Sequence, residues 1–228
     1  MLSAQEIATL HDEMTRAWHE NPASRYDKLP TSAAEGAVNI EANEQAEWLG
    51  QVERQHRANF NLWHIEDEAR RPGASDADLA AVKRRVDPTN QTRNDLAEEL
   101  DRALLKWLGD RGLPNPTAAL HSETPGLIID RLSILALKIY HTREEAERAD
   151  GPEGHRERNR ERLAVLLQQR GDLADCLDAL WRDTLTGSRR FKLYRQLKMY
   201  NDPSLNPAMY RKASVKQDVK STSTRVPH

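Results

Sequence analysis

The stretch RANFNLWHIEDEAR, Arg57 to Arg70, together with His56 just before it, concentrates residue types that do chemistry. Imidazoles titrate near neutral pH, carboxylates pair with them, and a guanidinium presents a rigid fork of donors. Stepping about 100° per residue from Leu49, the buried stripe of a helix runs through Val52, Phe60 and Trp63. His56 falls at the centre of that stripe. Asp67 and Arg70 continue it, with Asn59 and His64 at its edges.

The same interruption recurs on three further segments. Asn90 and Arg93 stand mid-stripe between Val86 and Ala97, with Asn94 alongside. In GLIIDRLSILALKIYH, Asp130, Lys138 and His141 share a line with Ile134, and Arg131 is close to it. Arg170 sits between Leu166 and Leu173. If the four helices pack together, these groups form a polar layer. An isolated buried charge is strongly destabilising, so each must pair, reach a cleft or meet a ligand. Among the inward positions Arg70, Arg93, Arg131, Lys138 and Arg170 outnumber Asp67 and Asp130, which predicts a site needing an external anion. The competing reading is a closed network of buried ion pairs and amides that sets helix register.

On the first reading Asn59, Arg70, Asn90, Arg93, Asn94, Arg131, Lys138 and Arg170 bind and orient a phosphorylated or otherwise anionic small molecule. Lys198, from the basic segment FKLYRQLKMYND, is expected near the same cleft. His56 or His141, with Asp67 or Asp130, would move a proton. The pairs Glu53–His56 and His64–Asp67 have helical ligand spacing, but di-metal bundles repeat Glu-x-x-His on a second helix and no second inward copy appears. No protein-held metal centre is therefore predicted, and Mg²⁺ held partly by substrate phosphates is the form of metal this pattern admits. A Mg²⁺-dependent nucleotide hydrolase using Glu66, Asp67 and Asp130 is the alternative activity. A non-enzymatic partner or scaffold is the third reading. No P-loop, Gly-x-Gly-x-x-Gly, Gly-x-Ser-x-Gly or His-Glu-x-x-His pattern occurs.

The elements that must position these residues are all helical. Ser3 and Glu6 make a capping box ahead of a helix over 4–20, and a long helix follows over 41–71. A third begins at Ser75 and runs to Leu108, with Pro88 opposite its apolar stripe, so a kink is expected rather than a break. Thr124 and Pro125 are the N-cap and first-turn pair of a fourth over 126–141, apolar almost all round and hence central. A fifth spans 156–185, with Cys176 near the core. The fold class is all-α, a single bundle of five to six long helices over 1–211 with an irregular basic C-terminal segment. The tail 212–228 lacks periodicity and is expected to be disordered. A net charge of −2 over 228 residues gives no basic field for nucleic acid or an anionic membrane. The absence of an 18-residue apolar run argues against membrane insertion, and a cytoplasmic protein is expected.

Four motifs in order, ANFNLWHIEDEAR, VKRRVDPTNQTRND, TPGLIIDRLSILALKIYH and FKLYRQLKMYND, resemble a bacterial family classed as a domain of unknown function. The likeness covers about residues 3–211. It implies an all-helical fold and, through glycosyltransferase and cell-surface polysaccharide genes, a role near sugar–phosphate or sugar–nucleotide metabolism. A glycosyltransferase partner or a homo-oligomer follows as the expected association. It supplies no catalytic residues.

Overall fold

The computed structural model describes residues 3–21, 40–195 and 204–207. Lys198 and the tail 212–228 lie outside them. Among the described residues five helices follow in order: α1 (Ala4–Glu20), α2 (Ile40–Ala69), α3 (Asp76–Gly109), α4 (Pro125–Glu147) and α5 (His155–Leu185). Two short strands, β1 (Ala119–Leu120) and β2 (Arg189–Arg190), pair in parallel. The protein is all-α.

Helices α1, α3 and α4 start where the sequence supplies a side-chain partner for orphan N–H groups. Ser3 with Glu6, and Ser75 with Asp78, form reciprocal capping boxes, and Thr124 accepts from the Leu127 N–H with Pro125 at the first turn. Pro88 lies inside α3 without ending it, on the exposed side of the helix. Helix α4 runs six residues past its expected end at His141. Ala146, buried one heptad beyond Ile139, continues its packed line. Cys176 is exposed, not near the core: α5 buries Leu173, Ala174 and Leu177 and turns the thiol outward.

Helix α4 contacts α1, α2, α3 and α5, and is the central element its composition predicts. Its Ile128, Ile129 and Leu132 meet Val52, Leu100, Leu104, Leu173 and Leu177 in the main core. A smaller cluster of Trp18, Phe60 and Leu137, flanked by Met14 and Trp63, lies where α1, α2 and α4 meet. Close approach of α3 and α4 depends on Gly126, since a Cβ there would collide with the Ala97 carbonyl and lie 2.8 Å from Asp101 Oδ1. That carboxylate instead accepts the Gly126 N–H at 2.7 Å.

The chain divides into two compact units, Met1–Leu193 and Tyr194–His228. All five helices and both strands belong to the first, whose β pair ties the exit of α5 to the loop before α4. Phe191, just past β2, is buried in the main core. Described residues of the second unit are Tyr194, Arg195 and 204–207, with a turn at Ser204 and Leu205. No helix among the described residues is long and apolar enough to cross a membrane.

Candidate functional site

Between the two apolar clusters runs a chain of buried polar groups donated by α1, α2 and α4. His56, fully buried, has Nε2 3.0 Å from the His11 carbonyl and 2.9 Å from Thr15 Oγ1, and Nδ1 2.7 Å from Ser133 Oγ. A carbonyl only accepts, so Nε2 carries the proton and Nδ1 receives the Ser133 hydroxyl. Ser133 Oγ in turn accepts from Asn59 Nδ2 at 2.9 Å, which also donates to Asp130 Oδ1 at 2.9 Å. Gln55 Nε2 donates to the same carboxylate oxygen. Burial, reinforced by His11 and Arg57, holds the His56 pKa well below the usual range, so the ring is neutral. His11 stacks on it with centroids 4.4 Å apart. Both nitrogens of His11 are buried without hydrogen-bond partners, and burial plus the Arg170 charge lower its pKa to about 3.

This network opens on a cleft of about 450 Å³ between α2, α3 and α4, lined by Asn59, Leu62, Trp63, Glu66, Asp67, Arg70, Arg93, Ile134 and Leu137. Arg93 is its least satisfied member. Its Nη1 is 3.8 Å from Asp130 Oδ2, too far for a hydrogen bond, and its Nη2 reaches Asn94 Oδ1 at 3.2 Å. Its Nε is buried with no hydrogen-bond partner. Burial raises the Asp130 pKa, against the pull of Arg93, Asn59 and Gln55.

A second cleft, about 750 Å³ between α4 and α5, is lined by residues that include Trp63, Lys138, His141, Glu145, Arg158, Arg162 and Val165. At the junction of α1, α2 and α4, His19, His64 and His141 bring one ring nitrogen each within 4.8 Å of the others. His19 Nδ1 donates to the Thr15 carbonyl at 2.7 Å, His141 Nδ1 lies 3.0 Å from Glu144 Oε2, and His64 Nδ1 lies 3.8 Å from Asp67 Oδ2. These are the residues here that could hold a metal. Glu66, Asp67 and Asp130 form no such group among the described residues.

The expected convergence of five cations is not what the packing produces. Arg70 and Arg93 share the smaller cleft, but Arg70 is exposed and bound to Glu66 through its carbonyl at 2.9 Å and Oε2 at 3.3 Å. Lys138 is exposed and lines the other cleft. Arg131 points outward to Glu123, both contacts at 2.9 Å. Arg170 meets Asp12 of α1 at 2.7 and 2.8 Å. Partners on α1 and in the loop before α4, not counted when each helix is read alone, supply the missing negative charge. Asn90 is half-buried and lines neither cleft, whereas Asn94 is buried beneath Arg93. His56, Asn59 and Asp130 do meet, as their positions on the wheel predict. His56 is sealed from solvent and serves as a core link, while Asp67 and His141 reach the clefts.

Five contributors escaped the sequence reading: His11, Thr15, His19, Gln55 and Ser133. A signal existed for two of them. His11 and Thr15 continue the α1 stripe of Ile7 and Trp18, so polar groups interrupt a fifth helix as well. Ser133 reads simply as a small packing residue, and nothing local marks it as the hydroxyl between His56 and Asn59.

Residues 50–193 match a family described as "Protein of unknown function (DUF4254)". No curated protein and no solved structure matches the chain.

Proposed function

We propose, for a chain that belongs to the DUF4254 family of proteins of unknown function, that the cleft between α2, α3 and α4 binds a phosphorylated small molecule. One observation carries this reading. Arg93 lines the cleft with a buried Nε that has no hydrogen-bond partner and a carboxylate neighbour held at 3.8 Å. A buried donor left unmade costs about 1–3 kcal/mol, and more on a charged group, so a ligand oxygen that reaches this guanidinium would recover part of that cost. A phosphate or carboxylate edge matches the guanidinium fork.

The remaining walls support the choice. Asn59 Nδ2 is held by Asp130 and Ser133, which fixes the amide plane at the cleft wall. Trp63, Leu62 and Leu137 give an apolar wall for a base or sugar ring, and Arg70 stands among the lining residues as a second cation. Asp130, with its pKa raised by burial, is the group suited to exchange a proton with the ligand. A sugar nucleotide combines all these features and is the ligand form we favour. The Mg²⁺ hydrolase alternative needs converging carboxylates, and Glu66, Asp67 and Asp130 do not supply them.

Thermal unfolding against phosphate, pyrophosphate, nucleoside diphosphates and sugar nucleotides tests the assignment, because a ligand of the native state alone raises the midpoint. The expected result is a rise with phosphorylated compounds that disappears in Arg93→Ala and persists in Arg131→Ala, which is on the outer surface. No rise with any compound, or an equal rise in Arg93→Ala, would refute it.

A further inference from the structure

The three histidines at the junction of α1, α2 and α4 carry an inference that does not depend on the anion cleft. We infer that His19, His64 and His141 form a binding site for one divalent first-row transition metal, with Zn²⁺ as the reference ion. The three come from three different helices and from positions far apart in the chain. Packing alone brings one nitrogen of each within 4.8 Å of the others. Zn–N bonds of about 2.0–2.1 Å hold ligand nitrogens about 3.4 Å apart, so side-chain torsions of these three rings suffice to close the site.

The outer contacts have the form that metal-bound imidazoles require. A ligating histidine donates its other ring N–H to a carbonyl or carboxylate, which fixes the tautomer and leaves a lone pair for the ion. His19 gives Nδ1–H to the Thr15 carbonyl, and His141 directs Nδ1 at Glu144 Oε2. His64 has Asp67 on its Nδ1 side at 3.8 Å, close enough to tighten when the ring becomes an ion's ligand. His141 Nε2 is buried with no hydrogen-bond partner. A nitrogen in that position is costly in a resting core and useful as a ligand.

The aromatic shell holds the rings in place. Tyr140 stacks on His19 at 4.3 Å between centroids, Trp63 stacks on His141 at 4.9 Å, and Phe60 meets His64 edge-on at 4.5 Å. Three neutral nitrogen ligands suit Zn²⁺, Fe²⁺, Ni²⁺ or Cu²⁺ rather than Mg²⁺ or Ca²⁺, which select oxygen. Three protein ligands also leave a fourth position for water or substrate, the pattern of catalytic zinc rather than structural zinc.

The test uses the full chain, stripped of metal with a chelator and titrated with Co²⁺ as an optical stand-in for Zn²⁺. The expected result is visible d–d bands that saturate at one equivalent, are displaced by Zn²⁺, and accompany a raised unfolding midpoint. His19→Gln, His64→Gln and His141→Gln should each weaken binding at least about tenfold, while His155→Gln, on α5, leaves it unchanged. Glu144, with its side chain 54 % exposed, can be changed without threatening the fold, and Glu144→Gln should weaken binding about tenfold. Absence of saturable binding would overturn the site, as would unchanged affinity in the Glu144 variant and in any histidine variant that folds. Arg93→Ala should bind the metal normally, so this site and the anion cleft stand or fall separately.

Discussion

The rings of Trp63 and His141 lie 9° from parallel with centroids 4.9 Å apart, joining α2 to α4. Trp63 lines both clefts, and His141 lines the larger one while belonging to the histidine group. One aromatic contact therefore connects the two clefts and the histidine group.

Stability should fall as pH drops from neutral towards 5. His11 is neutral in the fold, with a pKa near 3 against an ordinary 6.5, because it is fully buried and faces Arg170. Below pH 6.5 the unfolded chain binds a proton that the native ring refuses, so stability present above that value is lost progressively down to about pH 3. At pH 5 the loss from this one group is about 2 kcal/mol, from 1.36 kcal/mol per pH unit over about one and a half units. His56, whose pKa is lowered in the same direction, adds to it. Asp101, raised to about 6 by burial, acts oppositely, its stabilising effect being fullest below its ordinary 3.8 and lost as pH rises through 6. Urea unfolding at pH 7 and pH 5 measures the net slope, and His11→Phe should flatten it.

Gly126→Ala should destabilise the fold by about 1–3 kcal/mol, the range for overpacking a tight contact. The added methyl would meet the Ala97 carbonyl and the Asp101 carboxylate, both on α3. Denaturant midpoints of the two proteins give the value directly. An unchanged midpoint would mean that α4 can withdraw from α3 without loss.

Much of the fold was legible because the helices are long and their starts are chemically marked. Ser3, Ser75 and Thr124 each cap where their motifs indicate, and the near-continuous apolar run of α4 identifies the central helix. The polar interruption of α2 and α4 was legible too, since His56, Asn59 and Asp130 meet in the core. What a helical wheel cannot supply is the partner from another helix. Arg170 falls inward on its own wheel, but Asp12 on α1 neutralises it, and Arg131 is turned aside by Glu123. Those pairings dissolved the expected excess of positive charge and left Arg93 as the informative cation. The histidine group was invisible for the same reason, because His19, His64 and His141 share no spacing along the chain and become neighbours only by packing.

Asp130→Asn should tighten anion binding rather than weaken it. The carboxylate faces Arg93 at 3.8 Å and offsets its charge, while Asn can still accept from Gln55 and Asn59. An increase on the order of tenfold, about 1.4 kcal/mol, is expected at neutral pH. Acidification acts in the same direction, because the raised pKa of Asp130 lets it protonate before an ordinary aspartate does. Dissociation constants for pyrophosphate in the two proteins across pH 5–8 check both statements.

Calorimetric titration of the intact protein with pyrophosphate, beside Arg93→Ala, bears on the cleft more than any other measurement. The prediction is one site per chain, weakened at least about tenfold by the substitution, as expected when a charge-assisted hydrogen bond is lost. Identical heats and affinities in the two proteins would mean that Arg93 receives no ligand and that its buried nitrogen is only an imperfection of packing.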